Sequence, residues 1–127
     1  MLPREHRLVD PEDFARARQL GVKAGNRFLA VTIAVPDEGA AISRAEVPAR
    51  AGLIVPKSQI PLAVDRNRVK RQLRHLLMSR IGQYPKGTLL IVRVFRAIKG
   101  RDSAFMAAKL DSALSEAAKK LGSGGGA

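Results

Sequence analysis

The segment Arg66-Asn67-Arg68-Val69-Lys70-Arg71-Gln72-Leu73-Arg74 places five cationic side chains within nine positions. Guanidinium groups match phosphate oxygens by bidentate hydrogen bonding, and the lysine ammonium adds a compact point charge. Asn67 can donate and accept, which suits a sugar hydroxyl or a base edge. At helical spacing Val69, Leu73, Leu76, Leu77 and Ile81 form an apolar stripe. Arg68, Lys70, Arg71 and Arg74 then fan over the arc facing away from it. Arg66 to Arg68 fall at the helix start, where backbone N–H groups and the dipole favour an anion. The competing reading is a basic face that is merely solvated. Against it, Asp65 is the only acid between Lys57 and Lys86. Like charges crowded this way repel unless a polyanion relieves them.

The rest of the composition agrees. In 127 residues there are 23 Lys plus Arg against 11 Asp plus Glu, a formal net charge of +12. Hydrophobic residues make up 46%, so the chain can fold around a core, and its length suits one domain. There is no Cys, which excludes disulfides, thiolate metal sites and Cys nucleophiles. His6 and His75 are far apart and sit in no ligand pattern. Adjacent Glu12 and Asp13 suit the positive end of a helix better than a metal. Nothing here composes a protein-side catalytic pair or metal site. The N-terminus has charges throughout and no apolar signal region. The apolar run Phe28 to Val35 is too short to span a bilayer. These features predict a cytoplasmic polyanion-binding domain with no membrane partner.

The elements that must position the basic helix are legible in outline. Pro11 to Leu20 reads as a first helix, capped by Asp10 and stopped by Gly21. Arg27 to Val35 alternates as a strand, with Leu29, Val31, Ile33 and Val35 on a core face. Phe28, Ala30, Thr32 and Ala34 fall on the other face, a shallow surface on which something could lie. Pro36 to Pro48 reads as a loop, Arg50 to Val55 as a second strand, and Leu62 to Val64 as a short third one. Asp65 to Ile81 is the basic helix, with Asp65 as its cap. Thr88 to Phe95 is another strand and Ser103 to Leu121 a last helix. Tyr84, Phe95 and Phe105 are assigned to core or edge packing. Gly122 to Ala127 has flexible linker composition. The expected architecture is one α+β domain over 1–121, a small mixed sheet packed with helices in the order α-β-β-β-α-β-α, followed by a tail at 122–127.

Val64-Asp65-Arg66-Asn67-Arg68-Val69-Lys70-Arg71-Gln72-Leu73-Arg74 resembles the signature of the bacterial ribonuclease P protein subunit. His6-Arg7-Leu8, Asp13-Phe14 and Gly21 resemble that family's opening segment, and Gly52, Val55 and Lys57 the strand before the signature. Arg18 stands where the family often has a second aromatic. Pro56-Lys57-Ser58, Pro61 and His75 also depart from the usual pattern. The resemblance implies a fold similar to the second domain of ribosomal protein S5, with a left-handed β-α-β crossover against the general rule.

It also implies a division of labour. In this family a catalytic RNA removes the 5′ leader of precursor tRNA with Mg²⁺ held mainly by the RNA. The protein binds that RNA and the leader and has no catalytic residues of its own. By this resemblance Arg66, Asn67, Arg68, Lys70, Arg71, Arg74 and Lys57 face the catalytic RNA. Phe14, Arg18, Phe28 and Thr32 line the groove for the single-stranded leader, where a ring can stack on a base. Phe14 fits plain core packing equally well. The alternatives are a ribosomal or ribosome-associated RNA-binding protein and a metal-dependent nuclease acting alone.

Overall fold

Pro11 already holds helical φ, and it opens a ten-residue helix, α1 (Pro11–Leu20). The Gly21 N–H closes it on the Ala17 carbonyl at 2.8 Å. A computed structural model describes residues 11–35, 49–84 and 87–125. After α1 come β1 (Val22–Gly25), β2 (Leu29–Ala34), β3 (Arg50–Ile54), α2 (Ala63–Met78), β4 (Leu89–Val94) and α3 (Ser103–Gly125). Short 3-10 turns lie at Ile81–Gln83 and Arg96–Ile98. The fold is α+β, as the element pattern predicts.

Among the described residues, four strands form one mixed sheet in the order β1-β2-β4-β3. β1 pairs antiparallel with β2, and β2 with β4. β3 runs parallel to β4, so the chain must cross over between them, and α2 is that crossover. α3 lies against β1 and β2 and meets α2, and α1 covers part of the other face. Leu29, Val31 and Ile33 of β2 join Leu90, Val92 and Val94 of β4, with Val69, Leu73 and Leu77 of α2 and Met106 and Leu110 of α3, in the main core. On the opposite face Ala17 of α1 meets Ala34, Leu89 and Ile91, and Phe14 and Ile54 are half-buried against them. β4 is thus covered on both faces from Leu89 to Val92. That is why its sequence there is a continuous apolar run rather than an alternation.

Several expectations are corrected. Leu62 to Val64 is not a strand: Leu62 is extended, the helix begins at Ala63, and Leu62 and Val64 are exposed. The additional strand is instead Val22–Gly25. Asp65 does not cap α2, whose N-cap is Leu62 with no side-chain cap bond; Asp65 lies in the first turn and pairs with Lys99 at 3.4 Å. The helix ends at Met78, and Ile81 follows in a 3-10 turn while remaining buried. Val35, assigned to the core face, lies beyond the end of β2 and is exposed. The backbone of α3 continues through Gly125, beyond the Leu121 expected as its end. Asp10, the opening His6-Arg7-Leu8 and the 36–48 loop lie outside the described residues.

Candidate nucleic-acid interface

α2 is fixed by its buried stripe. Val69, Leu73 and Leu77 sink into the core, and burying a side chain of this size contributes about 1.5–3 kcal/mol. The opposite side is thereby held outward. Asn67, Arg68 and Arg71 are exposed, and Lys70 and Arg74 are half-buried on the flank. Among the described residues no carboxylate pairs with Arg68, Lys70, Arg71 or Arg74; the ion pairs join Arg80 to Asp111, Lys99 to Asp65 and Lys119 to Glu116. Asp65, the one acid in this stretch, is therefore engaged away from the arginines. Asn67, Arg71, Gln72, Arg74, His75 and Ser103 line an open concavity of about 680 Å³ where α2 meets the start of α3.

Arg66 stands apart from this arc. It precedes Leu73 by seven residues, so at roughly 100° per residue it falls on the buried azimuth. Its Nη1 turns under the helix start and donates to the carbonyls of Ile60 at 3.0 Å and Pro61 at 2.6 Å. The side chain so ties the incoming chain to α2, supplying the fixation that a capping residue would have given. Lys57 is exposed in the turn after β3, where the Gln59 and Ile60 N–H groups both bond the Pro56 carbonyl.

The expected leader groove is partly brought together and partly divided. Phe14 and Arg18 lie on α1, Phe14 half-buried and Arg18 exposed. Thr32, half-buried, shares their sheet face with Ala30 and Ala34. Phe28 does not join them. Asn26 Oδ1 accepts from the N–H groups of Phe28 at 2.9 Å and Leu29 at 3.1 Å, and the chain turns there, so strand parity begins only at Leu29. Phe28 packs instead against the main core and meets Phe105 edge-on at 4.8 Å. Phe105 is accordingly more than an edge-packing residue.

The register adds two cations that sequence reading missed. Lys23 is paired with Thr32, and Arg93 with Ala30. Paired residues share a face, so both stand beside the small side chains of the groove, and both are exposed. The signal was present for Arg93: a single arginine within a continuous apolar strand marks where the cover over one face stops. Lys23 had no such signal, because its strand was not recognised.

The far end of α2 is clamped rather than open. Arg80 grips Asp111 of α3 through Nε at 2.6 Å and Nη2 at 3.0 Å, and its Nη1 also donates to the Leu76 carbonyl. The hydrogen bond with Arg80 holds the Asp111 carboxyl below its ordinary range, and the same bond raises the Arg80 guanidinium. Burial pushes the neighbouring Tyr84 phenol up. Each group is in its ordinary neutral-pH state, so the clamp is structural.

A cationic helix borne on a β-α-β crossover can be compared with known proteins. The family model described as Ribonuclease P matches residues 2–118. The chain belongs to the ribonuclease P protein family. The ribonuclease P protein component of Streptomyces griseus subsp. griseus is 42% identical over 115 residues, covering 90% of this chain and 93% of the relative. That of Thermobifida fusca is 39% identical over 114 residues, covering 90% and 77%. Among solved structures, the Staphylococcus aureus RNase P protein superposes with a TM-score of 0.71 at 22% identity, over 88% of this chain and 94% of that one. The Thermotoga maritima RNase P protein gives 0.65 at 22% identity, over 84% and 92%. These two likenesses establish a shared fold. The family assignment matches the resemblance carried by the Arg-Asn-Arg helix.

Proposed function

We propose that this chain binds the catalytic RNA of a bacterial ribonuclease P through α2, and the 5′ leader of precursor tRNA through the groove beside α1. In so doing it assists RNA-catalysed, Mg²⁺-dependent removal of the leader. The observation that carries this reading is the outward arc of Asn67, Arg68, Lys70, Arg71 and Arg74, held by a buried stripe and lacking described carboxylate partners. Such an arc neutralises a phosphate backbone and releases its counterions. Lys57 extends it toward β3. Arg66 serves it indirectly by securing the helix start.

On the other face, Lys23 and Arg93 flank a shallow floor of Gly25, Ala30 and Thr32, and α1, which packs on that face, carries the exposed Arg18. A single strand fits such a floor, with phosphates on the cations and a base against Phe14. Among the described residues no three His, Cys, Asp or Glu side chains come together. A metal held by the RNA would supply the Lewis-acid chemistry at the scissile phosphate, and the protein's part is to bind and orient.

Competition binding tests the reading. Labelled bacterial ribonuclease P RNA should be retained by the chain in about 0.15 M salt, with excess ribosomal RNA a poor competitor. Equal competition by ribosomal RNA would favour the ribosome-associated alternative.

A further inference from the structure

Phe28 and Phe105 meet at 83°, and three cations bracket the pair. The Arg101 guanidinium lies 4.7 Å from the Phe105 ring centre and 5.5 Å from that of Phe28. Lys109 Nζ lies 5.3 Å and 5.1 Å from the same rings, and Arg27 lies 5.6 Å from Phe28. Three like charges gathered on two rings repel one another. The ring faces offset part of that repulsion, and no carboxylate among the described residues forms an ion pair with any of the three. The nearest acid in sequence, Asp102, caps α3, its Oδ1 accepting the Phe105 N–H at 2.7 Å.

The cluster is rigid and adjoins α2. Asn26 Nδ2 donates to the Lys109 carbonyl at 3.1 Å, tying the β1–β2 turn, which bears Arg27, to α3. Arg101 Nε donates to the Ala97 carbonyl at 3.2 Å, which holds the guanidinium over the two rings. Gln72 of α2 reaches the Arg101 carbonyl and Ser103 Oγ, both at 3.4 Å. Ser103 is also a wall of the concavity that Arg71 and Arg74 line. The exposed large apolar side chains of the described residues, Val35, Leu62, Val64 and Met78, all lie outside the cluster. A guanidinium seated on a ring keeps outward donors for phosphate.

Resting on the reading of α2 as the catalytic-RNA interface, we infer that Arg27, Arg101 and Lys109 form a second phosphate-contact site for the same RNA. It continues the α2 interface across the start of α3. The ligand is the sugar-phosphate backbone, recognised by charge and position rather than by sequence. Phe28 and Phe105 serve as the platform that orders the three cations.

The test is a salt titration of binding to bacterial ribonuclease P RNA for four proteins: the full chain, Arg101→Gln/Lys109→Gln, Arg27→Gln, and Arg101→Lys. Losing two phosphate contacts should flatten the log–log slope by about 1.4–1.8 and weaken binding about 20-fold near 0.15 M salt. Arg27→Gln should lose about fivefold on the same basis, and Arg101→Lys should keep the full slope. The inference is overturned if the double variant keeps both slope and affinity while α2 variants lose theirs, in which case the α2 reading stands. It is equally overturned if the double variant melts earlier with its slope unchanged, since the cluster would then be packing alone. If the unsubstituted chain shows no steep salt dependence, both readings fall together.

Discussion

Replacing Arg68, Arg71 and Arg74 together by Gln removes three charges from α2 while leaving the helix intact. The structure makes this a clean perturbation. None of the three pairs with a described carboxylate, so no buried acid is stranded. Gln has nearly the helix propensity of Arg, and the apolar stripe of Val69, Leu73 and Leu77 is untouched. Each phosphate contact contributes about 0.7–0.9 to the slope of log affinity against log salt. Three contacts should therefore flatten the slope by about 2–3 and weaken binding about 100-fold near 0.15 M salt, close to 2.7 kcal/mol. Filter binding to ribonuclease P RNA over a range of KCl concentrations reads both quantities, and circular dichroism checks the fold. Superimposed lines for variant and unsubstituted protein would refute the assignment of these side chains to phosphates. Parallel lines, a uniform loss without a change of slope, would refute it too, pointing to shape rather than charge.

Three further outcomes are expected. Phe14→Ala should weaken binding of leader-bearing precursor tRNA and spare mature tRNA; equal loss for both would make the ring a packing residue against Ala34 and Leu89. Asp111→Asn should lower the melting temperature by about 2–4 °C at neutral pH, because the bidentate grip on Arg80 is weakened at a half-exposed site worth under about 1 kcal/mol. The folded carboxyl titrates below the unfolded one, so this contribution is complete above the ordinary carboxylate range. It fades only as pH falls below that range, where unfolding curves of the two proteins should converge. Gly21→Ala should cost about 1–3 kcal/mol in thermal or urea unfolding, since its Cβ would lie 2.5 Å from the Ala17 carbonyl oxygen and 2.8 Å from Thr32 Cγ2.

What the sequence revealed followed from local pattern. α1 has the expected limits because Pro11 and Gly21 punctuate it, and β2 and β4 stand out by apolar content. β1 escaped notice because it is four residues long, carries one buried side chain, Ala24, and owes its existence to pairing with β2 and cover from α3. Leu62 and Val64 suggested a strand by composition, but Pro61 and the Arg66 bonds to the preceding carbonyls direct the chain into α2 instead. In the candidate site, the cationic arc was readable because a helix imposes its own geometry on spacing. The side of the sheet on which Phe28 falls was not, because a single asparagine turn resets the alternation. Arg93 and Lys23 join the groove only through strand register, a non-local property.

The most direct test is reconstitution. A bacterial ribonuclease P RNA is incubated with precursor tRNA at a Mg²⁺ concentration too low for the RNA to act alone, with and without this protein. Cleavage at the mature 5′ end should appear on adding the chain and be lost with the Arg68, Arg71 and Arg74 variant. Cleavage that stays absent with the chain bound to the RNA, or that is fully supported by the variant, would contradict the role of α2 in the holoenzyme.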